Sequence, residues 1–233
     1  MFKRKNSGHS TKDSPVYDIF SKSMLTTIIF SGFLFLITVG GMLLIADTPL
    51  AEIAIMLFSI PILGVIVFGA LITLGRHLGI KGIGENKNSM AFIGATTLLF
   101  AYSWFGGAVL HIYEVSLYLP GILIATIITL GISIIAGLYV YSTDKDLSHW
   151  AKISQILFTI GFILALIGTF FSEIIWLAFL AMLFGFIADL VYEIWMTSNK
   201  NRTPLANGIA LYIAFTGTFV HILQLVLRYL ERR

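Results

Sequence analysis

Seven apolar runs, each about 20 residues or longer, leave this chain few folds to choose from. They cover roughly residues 22–45, 50–74, 89–111, 119–141, 150–171, 173–196 and 205–230. A helix needs about 20 apolar residues to cross the hydrocarbon core of a bilayer, and it satisfies its own backbone hydrogen bonds there. Composition agrees. Of 233 residues, 58% are hydrophobic and only 12% are charged, about half the charged share of a soluble domain. The expected fold is an all-α membrane protein, a seven-transmembrane helix bundle whose short connections make successive helices antiparallel neighbours. The run from Met24 to Ala46 exceeds a signal-peptide core and reads as a retained helix. The lack of cysteine excludes disulfides, thiol catalysis and cysteine-ligated metals.

The basic residues orient the bundle. With the N-terminus cytoplasmic, the inner segments hold Lys3, Arg4, Lys5, Lys12 and Lys22, then Arg76, Lys81 and Lys87, then Lys145 and Lys152, then Lys200 and Arg202. That is twelve of the fifteen, and the outer loops hold none; Asp47, Glu114 and Glu173 lie there instead. Cytoplasmic loops of membrane proteins carry this excess of Lys and Arg. Residues 1–21 form a basic cytoplasmic arm, expected to be disordered, and 22–233 a single transmembrane domain. Pro49, Pro120 and Pro204 read as helix starts, with Thr48 and Thr203 as caps. Pro61 falls inside the second run and is expected to kink it. Trp150, Trp176 and Trp195 sit near span ends as interfacial anchors, and mid-span Trp104 reads as packing.

Few ionisable groups lie deep. Asp189 is about eight residues from the inner end of the sixth span, about 12 Å in. Glu193 lies one turn nearer the cytoplasm on the same face, and His221 lies near the middle of the seventh span. A carboxylate at helix centre costs about 2.5–3.5 kcal/mol on insertion scales, so Asp189 reads as an ion or proton site. His221 reads as a self-satisfied histidine, with Gln224 on a neighbouring turn. Ala181, Gly185 and Asp189 recur every four residues, as do Ala206, Ala210 and Ala214, with Gly217 and His221 extending the second face. Small residues at this spacing let helices approach closely, so both stripes are expected at contacts inside the bundle.

Two stretches carry a resemblance. One runs from Gly185-Phe-Ile-Ala-Asp189-Leu through a basic loop to Ala210-Leu-Tyr-Ile-Ala-Phe215 and Leu227-Arg-Tyr-Leu230. The other is Asp144-Lys-Asp-Leu-Ser148 before the fifth span. Both resemble the Bax inhibitor-1 (transmembrane Bax inhibitor motif) family, in motif over roughly residues 140–230 and elsewhere in layout. The resemblance implies a bundle with its seventh helix central, and, as in prokaryotic members, a pH-sensitive calcium leak gated by an aspartate pair latched to an arginine. The first aspartate falls on Asp189 and the second on Ala214, so this chain lacks the pair. The arginine best matches Arg76, read at the inner end of the second span and able to reach Asp189 by snorkelling. Glu193 offers a displaced second acid. Asp146 or Ser148 is expected to cap the fifth helix, with Lys145 anchoring it at the interface.

The implied function is a passive, pH-sensitive leak for cations, calcium foremost, controlled by Asp189, Arg76 and Glu193, with His221 as a polar pore-lining group. The chain carries no nucleotide-binding loop to power a pump. The alternative is a non-channel regulator of membrane stress or quality control that binds membrane proteases or cell-death factors, with the 1–21 arm as its handle. A metal hydrolase would need His111, His221 and Asp189 together, and His111 belongs near the outer face. The expected protein is thus not an enzyme, binds neither cofactor nor nucleic acid, and spans a cell membrane, a prokaryotic plasma membrane being favoured.

Overall fold

The computed structural model describes residues 22–143, 145–199 and 202–233. Among the described residues eight α-helices follow one another: α1 (Lys22–Ala46), α2 (Pro49–Phe58), α3 (Pro61–Gly84), α4 (Asn88–His111), α5 (Tyr118–Ser142), α6 (His149–Gly168), α7 (Ile175–Ser198) and α8 (Pro204–Glu231). Among the described residues all but α2 are long and apolar enough to cross a membrane. The protein is an all-α seven-helix membrane bundle. The 1–21 arm, Asp144 and Lys200 lie outside the described residues.

The second span differs from expectation. Hydropathy runs smoothly from Leu50 to Leu74, but the backbone breaks at Ser59 and Ile60, where Ile60 is extended and Pro61 takes the first position of α3. Proline has no N–H to give to the preceding turn and its ring clashes with that turn's carbonyl. Ser59 donates its hydroxyl to the Met56 carbonyl, closing the short α2 from its own end. At about 15 Å, α2 cannot cross. It stays at the outer end, held by the Trp104 indole N–H donating to the Leu50 carbonyl (2.8 Å) and by Phe58 against Phe105. The span is therefore Pro61–Gly84 rather than 50–74, displaced inward by about ten residues. Arg76, read at the inner end of the span, and Lys81, counted among the inner basic residues, both lie within α3.

Glycine explains why so polar a segment stays in the bundle. Gly75, Gly79 and Gly82 are buried on the face of α3 that meets α4. A Cβ built on Gly94 of α4 would collide with the Gly79 backbone, and one on Gly82 with that of Ala91. With no side chains between them the two helices touch backbone to backbone, the packing that small residues permit in a membrane. Their connection is equally tight. Asn86 adopts a left-handed conformation (φ 54°), and the Lys87 N–H reaches back to the Gly82 carbonyl, the usual closure of a helix by a residue at positive φ. Outside the span, the Lys87 ammonium hydrogen-bonded to Glu85 holds that carboxylate below its ordinary range.

α8 forms the axis of the bundle, as the resemblance implied. It packs against α1, α3, α4, α5 and α7, and its residues from Ala206 to Leu227 are nearly all buried. Polar contacts pin it. Tyr212 shares a hydrogen bond with Thr38 of α1 (2.6 Å), Tyr102 of α4 donates to the Ile213 carbonyl (2.9 Å), and Thr27 donates to the Pro204 carbonyl. The small-residue stripes do lie at contacts. Gly185 faces the Phe158 ring of α6, and Gly217 faces the Phe186 ring of α7. α6 stands outside this ring of helices, packed mainly on α7 and touching α3 only lightly.

Candidate functional site: an outer crevice on a charged floor

The light contact between α3 and α6 leaves a crevice of about 640 Å³ backed by α7 and α8. Its rim is at the outer ends of helices, at Phe58, Pro61 and Ile175. Its walls are apolar, with Phe68 and Ile72 from α3, Phe158 and Phe162 from α6, and Phe179 and Met182 from α7. The open side lies between α3 and α6, where the lining residues Ile66, Gly69, Thr73 and Phe162 are exposed.

The innermost lining residues are Arg76 of α3, Asp189 of α7 and Ile213 of α8. Counted from the inner ends of their helices at Gly84, Ser198 and Pro204, all three lie about 12–14 Å deep. The crevice thus has a level floor, and the floor is charged.

Below it runs a ladder of ion pairs. Asp189 Oδ2 lies 3.6 Å from the Arg76 guanidinium. Arg76 also donates to Glu193, one turn nearer the Ser198 end of α7, through a charged hydrogen bond. The other Glu193 oxygen accepts from Arg202, in the segment joining α7 to α8, at 2.7 Å. Two arginines face two carboxylates, so the ladder is neutral when all four are ionised. The Glu193 side chain is only 1% exposed, and such burial is tolerable because both its oxygens have cationic partners. Asp189 is different. It is buried, faces the crevice, and makes no hydrogen bond among the described residues; Arg76 holds it by charge alone. Glu193 is pinned from two sides, whereas Asp189 is held by the Arg76 charge alone and faces the crevice.

Sequence reasoning named three of the four members. Asp189, Arg76 and Glu193 do meet, but Arg76 sits at the floor itself rather than at the inner end of its span, so it does not snorkel. Arg202 was missed as a site residue and counted only as loop charge. The signal available was a basic residue just past a helix end, able to fold back onto an acid on that helix's last turns. Ala214 is fully buried, but with Leu190, Val191 and Ile194. The α8 residue that shares the floor with Asp189 is its neighbour Ile213.

His221 lines the crevice well above the floor, between the rings of Phe179 and Phe186. Its Nδ1 is 2.8 Å from the Gly217 carbonyl, one turn back. His111 lies at the outer end of α4 with its Nδ1 against the Ala46 carbonyl. Among the described residues no three His, Asp or Glu groups converge as metal ligands. The expected cap of the fifth span takes another form. Ser148 occupies the cap position of α6 without capping it through its hydroxyl, and Asp146 Oδ1 accepts from the Ser148 N–H (2.8 Å). That bond holds the exposed Asp146 carboxyl below its ordinary range. Thr203 does cap α8, accepting from the Ala206 N–H.

Compared with protein-family models, with curated proteins and with solved structures, the chain gives no match.

Proposed function

We propose that this protein is a passive, pH-sensitive cation leak, of the kind its resemblance to the Bax inhibitor-1 family implies, with calcium as the foremost ion. One observation carries the reading: an outer crevice ends, at a single depth, on a neutral ladder of four charges that continues to the inner loop. The ladder closes the route in this conformation. A cation crosses only when Arg76 lets go of Asp189 and Glu193. Nothing in the site suits tight binding, which needs several oxygen ligands at once; one carboxylate released from Arg76 suits weak, transient binding.

Charge arithmetic sets the pH response. Protonating Asp189 or Glu193 takes the ladder from neutral to a net +1, which repels cations. Flux through the ionised form therefore falls as pH falls. The ionisable groups around Arg76 are Asp189 and Glu193 from α7, with Arg202 beyond Glu193, and the phenols of Tyr102 from α4 and Tyr192 from α7.

The test is calcium entry into liposomes carrying the full chain, from mildly acidic to mildly alkaline pH. Wild type should pass calcium faster than empty liposomes, and faster in the alkaline range. Asp189→Asn starts the ladder at +1 even when Glu193 is ionised, and should flatten the pH profile and lower alkaline flux about tenfold or more. A unit charge about 4 Å away is worth roughly 4 kcal/mol at an effective dielectric constant of 20, well above the 1.4 kcal/mol of a tenfold change. No flux from folded protein, or an unchanged profile in Asp189→Asn, overturns the proposal.

A further inference from the structure

The outer half of the crevice holds a feature that the charged floor does not use. His221 is 8% exposed. Because the Gly217 carbonyl can only accept, the Nδ1 beside it carries the hydrogen. That leaves Nε2 as a bare acceptor, with no partner among the described residues, on a side chain that lines the crevice. Gln224 lines the same crevice one turn further out on α8, and its amide also lacks a hydrogen-bond partner among the described residues. Side chains three apart on a helix stand about 5–6 Å apart at Cβ, so one small group can reach both.

Depth sharpens the question of what satisfies them. His221 lies ten residues inside Glu231, the end of α8, or about 15 Å. The open side between α3 and α6 faces hydrocarbon at that level. A bare acyl chain fills such a space but gives nothing to an acceptor, and an unpaired polar group in hydrocarbon is costly. The complement is a group that donates to Nε2 and accepts from the Gln224 amide, carried by an apolar body. A hydroxyl does both. The aromatic walls, Phe162 and Phe179 with Met182, suit one alkyl chain, and the open side lets that chain run out into the bilayer whatever its length.

We infer that the outer half of the crevice is a binding site for a single-chain amphiphile with a hydroxyl head, the hydroxyl donating to His221 Nε2 and accepting from Gln224. A carboxylate head fits poorly, because the bare nitrogen and the carboxylate are both acceptors. The site lies above the ion-pair ladder in the crevice proposed as the outer part of the cation route; its test reads binding rather than flux, so its failure and that of the leak are distinguishable.

The test uses the full chain in lipid nanodiscs and a long-chain alcohol carrying a photoactivatable diazirine in its alkyl chain. Labelled peptides are mapped by mass spectrometry, with unlabelled hexadecan-1-ol and hexadecane as competitors. Labelling is expected on α6 and α7 at the crevice wall. The alcohol should compete at about tenfold lower concentration than the alkane, the preference one well-made hydrogen bond to an otherwise unpaired group provides. His221→Phe should erase that preference while leaving the labelled positions unchanged. Gln224→Leu, at a half-buried position, should reduce it and reads the same contact if His221→Phe does not fold. Equal competition by alcohol and alkane, a preference that survives both substitutions, labelling outside the crevice, or no labelling because water alone fills the site each overturn the inference.

Discussion

Glu193→Ala is expected to destabilise the bundle by about 3–5 kcal/mol, the range for removing one partner of a buried ion pair. Among the described residues no other carboxylate in the spans holds two cations. Its removal leaves Arg202 without its acid and Arg76 with only Asp189, 3.6 Å away and without a hydrogen bond. Thermal unfolding of purified protein measures the loss. Glu193→Gln should cost less, because the amide oxygen still accepts from one arginine. Adding Arg202→Gln to Glu193→Ala should recover part of the loss, since it removes the stranded cation. A loss below about 1 kcal/mol, the worth of an exposed pair, would mean that solvent already reaches Glu193 and the ladder is not closed.

The α3–α4 seam gives the second large effect. Gly94→Val should cost at least about 1–3 kcal/mol, the usual penalty of overpacking, because what it meets is the Gly79 backbone rather than a side chain that can turn aside. Spreading these helices also displaces Arg76, one turn from Gly79 on α3, so the variant should lose the pH response before it loses all folded protein. Gly131→Ala is the control. It lies on α5 with nothing near its Cβ position, and alanine there should stabilise by up to about 1 kcal/mol through helix propensity alone. Melting curves of both variants, read side by side, separate collision from generic glycine effects. Equal behaviour would argue against backbone contact at Gly94.

How much of this was legible in the sequence depends on which physics each feature uses. Span number and class follow from apolar length, and the seven runs mark the seven spans. Asp189 stood out because an acid in an apolar helix is costly wherever the helix packs. The disturbance at Pro61 was legible as a kink but not as a full break at Ser59 and Ile60, because Leu50–Phe58 and Pro61–Leu74 are equally apolar and hydropathy does not separate a kinked helix from two helices. Once that break was missed, the register of the second span slipped by about ten residues. Arg76 then read at the inner end of the span, although the glycines at positions 75, 79 and 82 carry the same small-residue signal that located the α7 and α8 stripes. Arg202 and Ile213 were missed for a different reason. Which residue meets Glu193 or shares the floor with Asp189 depends on how a loop folds back and how α8 is rotated, and one chain's residue pattern does not fix either.

Removing Arg76 bears most directly on the claim that a charged floor closes a cation path. Arg76→Gln takes the ladder from neutral to a net −1 and deletes the group that bridges α3 to both acids of α7. Calcium entry into liposomes should then rise at least about tenfold over wild type at alkaline pH, on the same Coulomb scale as before, and adding Asp189→Asn should bring it back down. Folded Arg76→Gln protein that passes calcium no faster than wild type would contradict the account, and the ladder would then be a structural brace rather than a gate.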